Sequence, residues 1–367
     1  MYFRHPLPIS SSVYHPLPVQ RYIMMTMGGF WPVIQQLPNG HLGVVARDGD
    51  FHMGERGRLV FVTSPDGGES WSHATVIAQE GPDNRNPAFG VTKDGTLLVA
   101  FIRADRYVDG EHAPAKNRGK CTPMYISRSE DCGITWSPAE LIDEQGDERW
   151  SGASDNDLTS PHKYYSPFGK MVTLADGTIL LSYYINQSEE PGKSAAFLLR
   201  SHDEGRTWVD PITVHENTDE TSITDIGENR LFAALRGDRL WQVTSADNGY
   251  TWSERRPLTE KMEFPGDVIR LRDGRLLLTY GRREPPYGVQ GLMSYDGGIS
   301  WDNEHRLLLV GDSSLHDCGY PSSVQREDGS IVTVYYAWDI VSEQYKRRRM
   351  GVHGAALIYS PEDLPWN

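Results

Sequence analysis

Between Arg47 and Glu55 the chain reads Arg-Asp-Gly-Asp-Phe-His-Met-Gly-Glu, with Asp48, Asp50 and His52 in between. Carboxyl and imidazole groups give and take protons near neutral pH, so acid–base chemistry is to be sought in this run. Two other short clusters have the same character: Glu216, Asp219 and Glu220, and His316, Asp317 and Tyr320. A tyrosine ionises only near pH 10, so its oxygen becomes a nucleophile only beside a group that takes its proton. Arg85 stands just ahead of one apolar run, and Arg236, Arg282 and Arg283 just after two others. Their planar guanidinium groups match the two oxygens of a carboxylate.

Other chemistries find less support. Cys121, Cys132 and Cys318 are odd in number and lack CxxC spacing, and no Cys/His group has zinc-ligand spacing. They read as small buried hydrophobes, no metal or cofactor is expected, and the setting expected is reduced and cytoplasmic. The first ten residues lack the charged and apolar regions of a secretory leader, so export is not expected unless a leader has been removed. No run approaches the 18 or so apolar residues of a membrane helix. The 367 residues carry 36 Lys and Arg against 50 Asp and Glu, a net charge of −14. That balance argues against nucleic acid and anionic membranes as partners. Ten Trp and eighteen Tyr argue against disorder.

The elements that must position these residues repeat. Five octapeptides share the pattern Ser-x-Asp-x-Gly-x-Ser/Thr-Trp, at Ser64–Trp71, Ser129–Trp136, Ser201–Trp208, Ser245–Trp252 and Ser294–Trp301. The pattern is that of a turn: Asp bonds backbone N–H groups about two residues on, Gly takes a positive φ, and Trp packs back into the core. The start of a sixth copy stands at Ser360–Asp363 without its Gly or Trp. Six hairpin signals alternate with the boxes, at Asn39-Gly40, Asp94-Gly95, Asp176-Gly177, Glu228-Asn229, Asp273-Gly274 and Asp328-Gly329. Each lies between β-rich apolar runs. A hairpin plus a box-bearing hairpin makes a four-stranded antiparallel blade. Six blades make an all-β, six-bladed β-propeller, spanning residues 1–367 as one domain. The last blade lacks a fourth strand, which residues around 10–25 are placed to supply. The stretches 103–125 and 142–163 read as loops on one face.

Box sequence and spacing resemble the Asp-boxes of the sialidase (neuraminidase) superfamily over essentially the whole chain. The resemblance implies a tyrosine nucleophile at the start of the sixth inner strand, here Tyr320. Its proton acceptor is implied before the fourth inner strand, at Glu220, with a substrate-binding arginine at the end of that hairpin, Arg236. An acid/base is implied in the blade 1 loop, with Asp50 in that role and His52 its rival. Where the superfamily has an Arg-Ile-Pro motif this chain has Phe30-Trp31-Pro32, so the first of three carboxylate-clamping arginines is missing. The third is due near Gln290, and Arg283 is one of the two nearest basic residues. Arg85 is a candidate to compensate, Arg47 in the blade 1 loop is a further substrate-binding candidate, Trp31 offers an aromatic face to a sugar, and Asp317 either bonds in the site or shapes its turn. What the resemblance implies is an exo-acting, retaining glycoside hydrolase that removes a terminal, acidic sugar from a glycan. A lyase acting on a uronic acid and a non-catalytic glycan-binding propeller are the alternatives.

Overall fold

Asp-Gly and Asn-Gly dipeptides do close hairpins here, and the geometry of the turn explains the residue choice. The computed structural model describes residues 14–104, 107–108, 111–112, 121–142, 163–187, 194–339 and 351–365. At five of the six turns a β-turn bond, such as Gly40 N to Leu37 O, is followed by glycine at a φ of 82° to 93°. The Asp or Asn before that glycine accepts the N–H two residues on, as Asp94 does from Thr96 at 3.0 Å. This is a type I turn closed by a left-handed glycine. The sixth turn is tighter: Glu228 and Asn229 both have positive φ, 58° and 60°.

Each hairpin forms the first two strands of a blade. The first strands are Phe30–Gln36, Asn84–Val91, the split pair Lys163–Pro167 and Val172–Thr173, Thr221–Gly227, Glu263–Arg270 and Gly319–Gln325. Each pairs antiparallel with the next strand, which pairs with a third and then a fourth. The result is the expected six-bladed propeller of four-stranded antiparallel blades. Gln20–Thr26 pairs antiparallel with Val352–Tyr359 as the outer strand of blade 6, so the N-terminal segment closes the ring. Tyr14–Pro16 extends blade 5, running parallel to its outer strand.

The boxes sit between third and fourth strands and form small hydrogen-bonded knots. In the first, Ser64 donates to Asp66 at 2.8 Å, Gly68 N donates to Ser64 Oγ at 2.7 Å, and Ser70 N donates to Asp66 at 2.9 Å. The Asp therefore reaches four residues on, not the two expected. The serine hydroxyl occupies the nearer N–H and leaves the carboxylate to close the wider loop. The other four boxes repeat the arrangement.

Six apolar cores lie between neighbouring blades. Trp71, Trp136, Trp208, Trp252 and Trp301 each pack against a different one. The core between blades 5 and 6 has no box tryptophan. There the incomplete sixth box becomes the 3-10 turn Pro361–Asp363, capped by Ser360, and delivers Leu364 instead. Two expectations need correction. Tyr107–Val108 and Glu111–His112 pair with each other, and Cys121–Thr122 pairs with Lys163–Tyr164, so part of the expected loop is strand; the rest of 142–163 lies outside the described residues. Cys318 is buried, but Cys132 is half-buried in its box turn at a φ of 57°, a position where backbone shape matters more than apolarity.

Candidate active site

The first strands open with a shared device. In Phe30-Trp31-Pro32, Arg85-Asn86-Pro87 and Gly319-Tyr320-Pro321 the middle residue has a left-handed φ, of 49°, 53° and 49°. The strand register shifts at each of these triplets. Proline removes a ladder donor, and the bulge re-aims the side chain before it. Left-handed φ at non-glycine residues costs on the order of 1–3 kcal/mol, so the packing around these positions must enforce it. Trp31, Asn86 and Tyr320 are thereby brought to an axial cavity. Gly169, Glu220 and Asp267 complete one lining residue from each blade.

Glu220 immediately precedes the first strand of blade 4, and Arg236 ends its partner strand. Antiparallel register sets them side by side, with Thr221 opposite Leu235. Tyr320 Oη donates to Glu220 Oε1 at 2.9 Å, and Arg236 Nη1 donates to Tyr320 Oη at 3.0 Å and to Glu220 Oε2. Tyr320 and Glu220 are each 7 % exposed. Burial, followed by the negative charge of Glu220, pushes the Tyr320 phenol well above its ordinary value, against Arg236 and Arg283. The phenol is thus held protonated, with its proton aimed at a carboxylate. Burial would lower Arg236, but the charges of Glu220, Tyr320 and Asp219 carry it well above the ordinary range. Asp219, 3.7 Å from Arg236 Nε, is pushed up to about 6, first by burial and further by Glu220, with Arg236 opposing.

Arg283 enters from blade 5. It donates to the carbonyls of Phe264 at 3.2 Å and His316 at 3.0 Å and to Asp317 at 3.4 Å, with its guanidinium carbon 5.4 Å from the Tyr320 ring centre. Asp317 also accepts from Tyr336 at 2.6 Å and lies 2.9 Å from His52 Nδ1. Burial opposes its ionisation, yet the hydrogen bond and charge of His52, with Tyr336 and Arg283, hold it well below the usual carboxylate range.

The remaining blade 1 and 2 candidates are placed differently. Arg47 is fully buried, bonded to Asp83 at 2.9 Å and to the carbonyls of Asp50 and Gly54 at 3.3 and 3.0 Å. It ties the loop after strand two to blade 2. Asp50 accepts the backbone N–H groups of Phe51 and Arg56 at 2.8 and 3.0 Å. Arg85 pairs with Asp83 at 3.2 Å and lies 4.9 Å from the Trp31 ring centre. Trp31 is 6 % exposed, and its contacts include His52 and Tyr320.

Sequence reasoning missed Asp83, Tyr336 and the Lys170–Asp267 pair, 2.7 Å apart, whose aspartate lines the cavity. For Asp83 the sequence offered one signal, the polar run Asp83-Asn84-Arg85 at a strand start; Tyr336 and Asp267 lie within strands and offered none. Among the described residues no three His, Cys, Asp or Glu side chains gather as a metal would require.

The chain is thus a six-bladed β-propeller with an Asp-box in five of its blades, and Tyr320 and Glu220 line a cavity at its axis. By its sequence the chain belongs to the BNR repeat-like domain family, whose model matches residues 85–333. It is 26 % identical over 213 residues to a sialidase of Bacteroides fragilis (strain YCH46), which covers 53 % of this chain and 36 % of the relative. The chain thus spans little more than a third of that relative. Among solved structures, a protein of unknown function from Dyadobacter fermentans DSM 18053 superposes with a TM-score of 0.74 at 21 % identity, over 93 % of this chain and 98 % of that one. The Hadza microbial sialidase Hz136 superposes with a TM-score of 0.70 at 18 % identity, over 93 % and 67 %. At these identities the structural likeness carries the fold.

Proposed function

We propose that the protein is a retaining glycoside hydrolase that removes a terminal acidic sugar from a glycan, with Tyr320 as nucleophile. The observation that carries this reading is the buried Tyr320–Glu220–Arg236 set at the axial cavity. Tyr320 Oη attacks the anomeric carbon as its proton passes to Glu220. The glycosidic C–O bond breaks, and the leaving oxygen takes a proton from the blade 1 side of the mouth. Water then attacks the same carbon and releases Tyr320, which recovers its proton from Glu220. A neutral nucleophile suits an anionic sugar, because a carboxylate in its place would repel the substrate's own carboxylate. Arg236 and Arg283 supply positive charge beside Tyr320 for that carboxylate, and the superfamily relatives named sialidases support a sialic acid as the sugar.

The test is mass spectrometry of products from sialyl- and uronate-capped oligosaccharides. Products that sum to substrate plus one water are expected, and Tyr320→Phe should abolish them while leaving the thermal midpoint near that of the wild type. Products that sum to substrate alone, one of them unsaturated, would instead mark a lyase.

A further inference from the structure

Three groups in the loop after Asp48 have the chemistry to protonate a leaving oxygen; Glu55 is exposed, and the structure treats Asp50 and His52 oppositely. The Asp50 side chain is 5 % exposed, and its two oxygens accept the N–H groups of Phe51 and Arg56, with the Arg56 Nε at 3.6 Å. It shapes the loop. The His52 side chain is 38 % exposed. Its Nδ1 lies 2.9 Å from Asp317 Oδ2, while Asp317 Oδ1 is fixed by Tyr336 and Arg283. The ring stands at 89° to Trp31, with centres 5.0 Å apart, and also packs against Phe30. Arg85 donates to the His52 carbonyl at 3.1 Å. The imidazole is therefore held from several sides, and Nε2 has no hydrogen-bond partner among the described residues. Trp31, which lines the cavity, touches both His52 and Tyr320, so the two pack against one aromatic side chain. A carboxylate on one ring nitrogen selects the tautomer and stabilises the imidazolium, which makes the other nitrogen a directed acid and then a base.

We propose that His52, oriented by Asp317, is the acid/base of the reaction, and that Asp50 holds its loop. His52 is the catalytic residue and Asp317 a positioning residue; the inference rests on the glycoside hydrolase reading above. In the first step Nε2–H protonates the glycosidic oxygen as its bond to the anomeric carbon breaks, and the rest of the glycan leaves as an alcohol. In the second, neutral Nε2 takes a proton from the water that displaces Tyr320.

The test compares 4-nitrophenyl α-sialoside, whose phenolate leaves without protonation, with sialyllactose, whose alcohol does not. Wild-type protein, His52→Gln, Asp317→Asn and Asp50→Asn are assayed across pH, with thermal midpoints recorded for each. His52→Gln is expected to lose about 10²- to 10⁴-fold on sialyllactose and far less on the nitrophenyl substrate. Asp317→Asn should move the alkaline limb of the sialyllactose profile to lower pH, because the imidazolium loses its counter-charge. The groups around the ring are Asp317, with Tyr336 and Arg283 bonded to it, and Arg85; Trp31 and Phe30 are uncharged. Equal losses on both substrates for His52→Gln, or the leaving-group signature in Asp50→Asn instead, would overturn the assignment. If Asp317→Asn does not fold, His52→Gln alone decides. Wild-type protein that cleaves neither substrate would overturn the sialoside hydrolase reading itself, an outcome visible before any variant is compared.

Discussion

At the residue scale the site gathers charge that burial would disfavour if any member stood alone. Glu220 and Arg236 are tolerated because each is the other's partner, and removing either would leave an uncompensated buried charge, whereas the protonated Tyr320 adds hydrogen bonds and no charge. Asp219 is the member with the most exposure, and its raised value makes a testable signature. Its folded-state value of about 6 lies above the ordinary 3.8, so the folded protein binds that proton more tightly than the unfolded chain does. The stabilising contribution is present at low pH and is lost as pH rises from about 4 to about 6. Wild-type thermal midpoints should therefore fall relative to Asp219→Asn across that window and run parallel above it; a constant difference throughout would refute the assignment. The sequence exposed the types of these residues, but it did not reveal which carboxylate would be spent on backbone N–H groups. Asp50 and His52 are two positions apart, and the sequence favoured Asp50 as the acid/base, yet Asp50 caps its loop and His52 meets Asp317, 265 residues away.

At the element scale, turn chemistry was the most legible feature. Asn-Gly and Asp-Gly close hairpins because glycine takes left-handed φ without strain, and that reason is local. The boxes add a second demand. Gly133 has a φ of 88°, and a Cβ there would meet Phe61 Cε1 at 1.9 Å, whereas a Cβ on Gly40, at a φ of 82°, would meet nothing within 4 Å. Gly40→Ala should then cost only the backbone term, about 1–2 kcal/mol. Gly133→Ala should cost that plus a further 1–3 kcal/mol or so of overpacking. Denaturant unfolding of both variants would show it, and equal losses would mean that Phe61 yields freely. Less legible were the strand-start bulges. Pro32, Pro87 and Pro321 were visible, but a left-handed Trp31 or Tyr320 is a conformation that its own sequence disfavours and its neighbours impose.

At the scale of the molecule, closure of the ring decides whether six blades are one structure. Gln20–Thr26 covers the edge of blade 6 and contributes Met24 and Met25 to the core shared with blade 1. A chain beginning after Thr26 should lose the cooperative wild-type transition and self-associate through the uncovered edge, as unfolding curves and size-exclusion chromatography would report. A truncated monomer with the wild-type midpoint would show the closing strand to be idle. The repeat of boxes and hairpins was enough to specify blade number, strand order and the source of the closing strand, because those follow from period-two patterning and turn residues read within one unit. The sequence by itself thus determined the propeller and nominated Tyr320, Glu220 and Arg236. Only the tertiary structure decided that Arg47 is consumed by Asp83, that Arg283 and not Arg282 joins Arg236 beside Tyr320, and that His52 meets Asp317. Those outcomes depend on contacts between loops of different blades, where neither periodicity nor local turn chemistry constrains which side chain reaches which partner.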